Sequence, residues 1–293
     1  MKGEEDFLME GIKVAGSSIT WGRDYPREKV LAEIAEAGYE GTNVGGRGGE
    51  SASEVKAQLA RYGLAPAPGY LGVEWWTPGL KGQQLDQAAH QAAISRELGL
   101  TELYVASSLT PERRAISGQV TAQTATPTED LKKLADLLNE IGRVTLKEGV
   151  RACFHNHVGS PVETRDEIDR LFGLVDREVV FQGADIGHLA WAGDDIVAFT
   201  RDYASSIKTL HLKDIDPKVR AEGVAQKWDY KGFSDHGIFA ELGEGLVDFP
   251  SMFEVLKQSG FSGWIVVETD VTMKASALES ARISRNYLRS IGV

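Results

Sequence analysis

The sequence predicts an α/β protein that folds as a single-domain (β/α)8 barrel. Short apolar, β-branched segments alternate with longer helical patterns eight times along the 293 residues, and this alternation is typical of parallel sheets. The length also fits a barrel of this kind, for which about 250 residues are typical. No Gly-Ser linker or low-complexity tract divides the chain. An open, doubly wound sheet is the alternative, but eight regular repeats favour a closed barrel.

The first four strand–helix pairs follow from apolar runs bounded by helix start and stop signals. Pro26 stands where the first helix should begin, and Gly38 stands where it should end. The third strand, LAPAPGYL, should be irregular because proline cannot donate to a strand ladder. Strands are predicted at 12–16, 39–44, 64–71 and 102–107, and helices at 26–38, 51–63, 83–98 and 128–149.

The second four pairs continue the alternation, with one long interruption. Thr164 is a predicted helix cap, with Glu167 at the capping-box position three residues later. Residues 215–247 are too many for a plain connection, so we expect a lid loop over the site. Strands are predicted at 151–156, 179–185, 207–214 and 263–270, and helices at 164–175, 194–204, 249–260 and 274–290.

Charge and composition exclude several classes of partner. The formal net charge of −11 argues against nucleic acid and against an anionic membrane surface, since both require a basic protein surface. The N-terminus is acidic and lacks the features of a signal peptide, and no apolar run is long enough for a membrane span. The single cysteine, Cys153, cannot form an intrachain disulfide. We therefore expect a cytoplasmic protein, and the sequence leaves open whether it forms a homo-oligomer.

The C-terminal ends of the last four predicted strands carry many histidines and carboxylates. In a barrel these ends converge on the face where barrel enzymes keep their active sites. Carboxylates and imidazoles together suit a divalent metal such as manganese, cobalt, iron or zinc. Taken singly, each residue has a simpler interpretation as a hydrogen-bonded or capping side chain, but one metal site accounts for all of them. The residues are His155, His157, Asp185, His188, His211, Lys213, Asp214, Glu268 and Asp270.

Residues expected to contact a substrate lie in the connections that follow the strands. Trp21 follows the first strand, Asn43 ends the second and Trp75 follows the third, while Lys227 lies in the predicted lid. Aromatic side chains at a barrel mouth can form an apolar wall for a sugar-like ring. Ordinary loop packing is an equally good interpretation of Trp75.

Several of these segments resemble the xylose-isomerase-like TIM-barrel superfamily of sugar isomerases, epimerases and dehydratases. The match spans nearly the whole chain and is most specific in its second half, where it is similar to the inosose dehydratase branch. The segments that carry the resemblance are FHNHVGSPVET, DIGHLAWAG, HLKD, ELGEGLVDFP and GWIVVETD.

The resemblance implies a divalent metal at the barrel mouth, with Mn²⁺ expected first and Co²⁺, Mg²⁺, Fe²⁺ or Zn²⁺ as alternatives. Asp185, His211 and Glu268 match three of the family's four ligands. Many relatives have a glutamate in the fifth strand, in the form L-E-N-H, where this chain has His155 in F-H-N-H. Either His155 binds the metal itself or Glu163 supplies the missing carboxylate, and we favour Glu163.

The resemblance also implies a small polyhydroxylated keto substrate and proton removal next to its carbonyl. His155 and His157 are the expected acid–base residues, with His188 as the alternative, and Lys213 is expected to hold a substrate oxygen. The leading hypothesis is a metal-dependent lyase that removes water from a keto-inositol or a related keto sugar. The alternatives are a keto-sugar isomerase or epimerase, a lyase that cleaves a C-glycoside of an oxidised sugar, and a non-catalytic sugar-binding barrel.

Overall fold

The strands form the closed parallel ring that the sequence predicts, in a computed structural model that describes residues 11–44 and 50–293. One sheet has the order β3-β2-β1-β11-β8 and the other β4-β5-β6-β7. Bridges from Gln182 to Ile207 and from Asp185 to His211 connect the second sheet to β8. The strands are β1 (Ile12–Gly16), β2 (Gly41–Asn43), β3 (Ala65–Ala67), β4 (Tyr70–Val73), β5 (Glu102–Ser107), β6 (Arg151–His155), β7 (Val180–Gln182), β8 (Leu210–Leu212), β9 (Asp214–Ile215), β10 (Phe239–Ala240) and β11 (Gly263–Val267).

Strands β3 and β4 are the two parts of the third barrel strand, which the sequence predicts as one irregular element. Pro68 and Gly69 separate them, and the Gly69 carbonyl accepts the Tyr104 N–H at 2.9 Å. The first part pairs with β2 and the second with β5. Because of this break, the third barrel strand pairs with both of its neighbours although proline lacks an N–H. With β3 and β4 counted as one strand, and β9 and β10 outside the ring, the described ring has eight strands.

The helices confirm the eight predicted ones and add four short ones in the strand-to-helix connections. The capping box of Thr164 and Glu167 is confirmed. The additions are α4, α7, α9 and α10, together with a 3-10 turn at Ser18–Trp21. The helices are α1 (Arg27–Ala37), α2 (Ala52–Ala60), α3 (Lys81–Leu98), α4 (Pro111–Arg114), α5 (Thr128–Leu146), α6 (Arg165–Phe172), α7 (Ile186–Ala192), α8 (Ile196–Tyr203), α9 (Pro217–Gln226), α10 (Tyr230–Asp235), α11 (Phe249–Gln258) and α12 (Ala277–Ser290).

The segment 215–247 is largely regular rather than a loop. The antiparallel pair β9–β10 encloses α9 and α10. The Asp214 carboxylate accepts backbone N–H groups of Ile215, Gly243, Gly245 and Val247 at 2.9–3.0 Å. The ELGEG sequence is therefore a turn wrapped around a buried carboxylate.

A buried layer of side chains that includes Tyr104 lies against the first histidines. All six residues of β5 are buried, and the hydroxyl of Tyr104 pairs with that of Thr209. The Tyr104 ring meets the rings of His211 and His155 edge-on, at 4.3 and 5.6 Å between centroids. Aromatic packing thus forms the floor of the polar mouth. No helix in the described ranges has the length and apolar character of a membrane span.

Candidate active site

Asp185 connects the strands that build the mouth. It ends the β7 segment and caps α7, with its carboxylate accepting the His188 N–H at 3.0 Å. The Asn156 side-chain amide bonds the backbone N–H and carbonyl of Asp185 at 3.0 and 3.1 Å, which fixes β6 to β7. A Cβ at Gly187 would collide with the Cβ of Lys213. Glycine at this position therefore lets α7 lie directly against β8.

Three ligand-type side chains converge at this point. Metal-ligating atoms of His155, Asp185 and His211 lie within 4.8 Å of one another, and all three residues are buried. Among the described residues, no hydrogen-bond partner exists for Oδ2 of Asp185, Nδ1 of His155 or either ring nitrogen of His211. Buried polar atoms normally have partners. These unpartnered donor atoms, two imidazoles and a carboxylate, suit a divalent transition metal.

Lys213 lies among three carboxylates beside this group. Its ammonium contacts Glu268, Asp270 at 2.7 Å and Asp185 at 3.3 Å. Burial alone would lower the pKa of Lys213, but the three carboxylates raise it well above its usual value. Glu268 also accepts the Ser17 hydroxyl at 2.7 Å and lies 3.3 Å from Nδ1 of His211. One ammonium among three carboxylates leaves the mouth able to take a further cation.

Burial sets the charge of the histidines at the mouth. It lowers the pKa of His155 and His188 well below the usual value, and it also lowers the pKa of His157. These imidazoles are therefore neutral near pH 7 and can bind a metal or accept a proton. Burial raises the pKa of Asp185 to about 6, against the opposing effect of Lys213.

A second group lies beside the first. Ligand-type atoms of His157, His188 and Asp270 also lie within 4.8 Å of one another. Nδ1 of His157 is 2.7 Å from the Val158 carbonyl, which can only accept, so this nitrogen carries the proton and Nε2 keeps its lone pair. The rings of His157 and His188 are 3.6 Å apart. His188 is buried, and neither of its ring nitrogens has a hydrogen-bond partner in the described part of the chain.

Glu163, the favoured first ligand of the sequence prediction, lies in neither group. Its two carboxylate oxygens accept the N–H groups of Gly118 at 2.7 Å and Gly159 at 2.9 Å, and Arg113 lies 3.7 Å away. Both oxygens are thus occupied in bracing the loop after β6 against the segment after β5. The structure therefore does not place Glu163 beside Asp185 and His211, where His155 lies instead.

The four predicted substrate-binding residues differ in their positions and in the partners of their side chains. Asn43 is at the mouth end of β2, with a buried Oδ1 that lacks a partner among the described residues, and Trp75 is half-buried in the loop after β4. Trp21 instead donates its indole N–H to Glu33 of α1 at 2.6 Å. Lys227 is exposed at the end of α9 with a left-handed backbone (φ 57°). The indole N–H of Trp21 is thus occupied by Glu33, and Lys227 is exposed to solvent.

Tyr230 is a mouth residue that the sequence interpretation missed. Its ring lies nearly parallel to that of His157, at 6.1 Å, and its hydroxyl is 3.5 Å from Asp270. It begins α10, far from any strand end, so the rule of searching strand ends could not find it. The only signal was that an aromatic residue lies within the predicted lid.

Comparisons with known proteins place this geometry in a family. The family model described as xylose isomerase-like TIM barrel matches residues 31–291. An inosose dehydratase of Clostridium beijerinckii is 29% identical over 96% of this chain and 97% of its own length. The rhizopine catabolism protein MocC of Rhizobium meliloti is 31% identical over 88% of this chain and 82% of its own.

A solved structure shares the same architecture. It is the IolI protein with a bound zinc atom, which superimposes with a TM-score of 0.71 over 96% of this chain and 98% of its own, at 17% identity. At that identity the likeness concerns the fold alone. The family match, by contrast, covers most of the chain and the segments that build the mouth. The chain therefore belongs to the xylose isomerase-like TIM-barrel family and is an enzyme of the lyase or isomerase type.

Proposed function

We propose that the protein is a divalent-metal-dependent dehydratase that removes water from a keto-inositol or a related keto sugar. The observation that carries this proposal is the convergence of His155, Asp185 and His211, which have buried polar atoms without a hydrogen-bond partner among the described residues. The full-length similarity to proteins named inosose dehydratase supports the substrate class. The acidic surface supports a small neutral substrate rather than a nucleic acid or a membrane.

His155, Asp185 and His211 would hold the metal, with Glu268 as the fourth ligand. Glu268 is adjacent, 3.3 Å from His211, and its present partner is the Lys213 ammonium. Two imidazoles and two carboxylates favour Mn²⁺, Co²⁺, Fe²⁺ or Zn²⁺ over Mg²⁺, which prefers oxygen ligands. Bound there, the metal supplies Lewis-acid stabilisation of negative charge that develops on a carbonyl oxygen.

The chain's own residues can supply the proton transfers. His157 is neutral and has its Nε2 lone pair free, so it can take the proton next to the carbonyl. The protonated His157 can then give this proton to the hydroxyl that leaves as water, which returns its ring to the neutral form. His188, whose ring centroid lies 3.6 Å from that of His157, is the alternative acid–base residue. Lys213 is a permanent cation beside them and can hold a substrate oxygen as its charge grows.

The direct test is turnover of 2-keto-myo-inositol by purified protein loaded with Mn²⁺ or Co²⁺. The expected product is a diketone that has lost one water, detected by its mass and by its ultraviolet absorbance. Protein treated with a chelator serves as the control and should be inactive. A product of unchanged mass would show that the enzyme is an isomerase or epimerase that uses the same site, and absence of any product would contradict the proposal.

A further inference from the structure

We propose that Tyr230, carried by α10 outside the barrel, contacts the substrate by donating a hydrogen bond to one of its hydroxyl groups. This inference rests on the proposed function, because it assigns a further residue to the same site. It gives the 215–247 segment, which the sequence predicts as a lid, a chemical role.

The backbone around Tyr230 is fixed in place. Asp229 caps α10 by accepting the Gly232 N–H at 2.8 Å. The carbonyl of Trp228 accepts the Gln119 side-chain amide at 2.7 Å, which ties α10 to the segment after β5. Since two independent contacts hold the residues next to Tyr230, its side chain has a defined position over the mouth.

The ring of Tyr230 is enclosed on several sides. It packs against Trp191 at 5.1 Å between centroids, and the Arg114 guanidinium lies over it at 5.2 Å. Its plane is within 20° of that of His157, and 6.1 Å separates the two ring centroids. The ring therefore shields His157 from bulk water on the lid side.

The hydroxyl of Tyr230 is the part available to a ligand. Its contact with Asp270 Oδ2 is 3.5 Å, at the outer limit of a hydrogen bond. Among residues 11–44 and 50–293 the hydroxyl has this one weak hydrogen bond, so the half-buried phenol can donate to a ligand hydroxyl without breaking a strong bond. It lies beside Asp270, which belongs to the second group of ligand-type residues together with His157 and His188. A ring polyol fits this arrangement because it offers hydroxyls on more than one side.

The test compares Tyr230→Phe with Tyr287→Phe, a control on α12 whose ring packs against Phe249. Y230F keeps the ring and removes only the hydroxyl. We expect KM for 2-keto-myo-inositol to rise about 10-fold with kcat within a few-fold of wild type, because a hydrogen bond of about 1.4 kcal/mol is lost equally from bound substrate and transition state. Metal content and melting temperature should equal those of wild type, and Y287F should match wild type in every measurement.

A second measurement separates this inference from the reaction itself. Binding of myo-inositol, which has no carbonyl to react, can be followed by tryptophan fluorescence because Trp191 adjoins Tyr230. Affinity about 10-fold weaker in Y230F would support the contact even if wild type failed to dehydrate the ketone. KM and affinity equal to wild type in Y230F would overturn it. Wild-type protein that neither binds nor turns over either compound would overturn both proposals.

Discussion

Two buried clusters of charged residues in this barrel differ in how completely their polar atoms are hydrogen-bonded. In the brace cluster, Arg113, Glu163 and Glu167, the guanidinium donates two bonds of 2.9 Å to Glu167. Both oxygens of Glu163 accept backbone N–H groups. In the mouth cluster, Asp185, Lys213 and Glu268 with His155 and His211, one carboxylate oxygen and three imidazole nitrogens have no hydrogen-bond partner among the described residues.

The difference separates buried charged groups that the protein satisfies from buried groups that it leaves without a hydrogen-bond partner. Leaving a buried donor or acceptor unpaired costs about 1–3 kcal/mol, so a cluster that serves only stability has its groups satisfied. In the brace cluster both carboxylates have hydrogen-bond partners for their two oxygens. In the mouth cluster one oxygen of Asp185 has no hydrogen-bond partner among the described residues. Functional sites are the places where a fold tolerates such violations. The variants below test whether the two clusters differ in function as they do in bonding.

The largest effect is expected at Glu268 of the mouth cluster. Glu268→Gln removes a charge from the proposed metal site. Loss of a residue that only hydrogen-bonds a metal ligand lowers metal affinity by about 10- to 100-fold. Loss of a ligand should therefore lower it by more than about 100-fold. Dehydratase activity should disappear with it. The measurements are metal content by mass spectrometry of the purified protein and turnover of the ketone. Wild-type metal content and turnover in E268Q would remove Glu268 from the site.

A smaller effect is expected when the donor type at His155 changes. In His155→Glu a hard carboxylate replaces an imidazole, so preference should shift from Zn²⁺ towards Mn²⁺. We expect the ratio of the two affinities to change about 10-fold, or about 1.4 kcal/mol, in competition titrations. His90→Glu, on the outer helix α3, is the matched control and should leave the ratio unchanged. An unchanged ratio in H155E would mean that His155 is not a ligand.

At Glu163, in the brace cluster, we expect loss of stability without loss of metal. In Glu163→Gln the side-chain NH₂ group must face one of the two backbone N–H donors, which costs about 1–3 kcal/mol of unfolding free energy. A chain of this size then melts about 2–4 °C lower per kcal/mol. Exposed Glu178→Gln is the control and should melt like wild type. If E163Q were to lose its metal at unchanged melting temperature, the sequence prediction of Glu163 as a ligand would be restored.

The sequence predicted the eight barrel repeats and the convergence of Asp185, His211 and Glu268, because strand periodicity and strand ends are local signals. It could not place Glu163, since the Gly118 N–H that occupies its carboxylate lies 45 residues away in the chain. The sequence likewise could not show that Glu33 accepts the Trp21 indole N–H, because Glu33 belongs to a different element. Tyr230 was missed because α10 carries no periodicity that connects it to the mouth. Local sequence patterns thus predicted where residues lie along the barrel. Hydrogen-bond partners that are distant in the chain decided what individual residues do.

The last expected effect is a pH dependence of stability that belongs to the brace cluster. Burial raises the pKa of Glu163 from 4.5 to about 7, although the Gly159 and Gly118 N–H groups and Arg113 favour its carboxylate form. The folded state then binds a proton more tightly than the unfolded state. The contribution of Glu163 to stability is therefore greatest below pH 4.5 and is lost as the pH rises towards 7.

The measurement is the difference in unfolding free energy between wild type and E163Q, from denaturant titrations in the presence of a chelator so that metal binding does not contribute. Because glutamine does not titrate, this difference isolates Glu163. It should decrease from about pH 5 to about pH 7.5, by at most about 1.4 kcal/mol per pH unit. A difference that stayed flat or grew with pH would mean that Glu163 is ionised throughout. In that case Arg113 and the two N–H donors outweigh burial, and the brace cluster is an ion pair at every pH where the protein is folded.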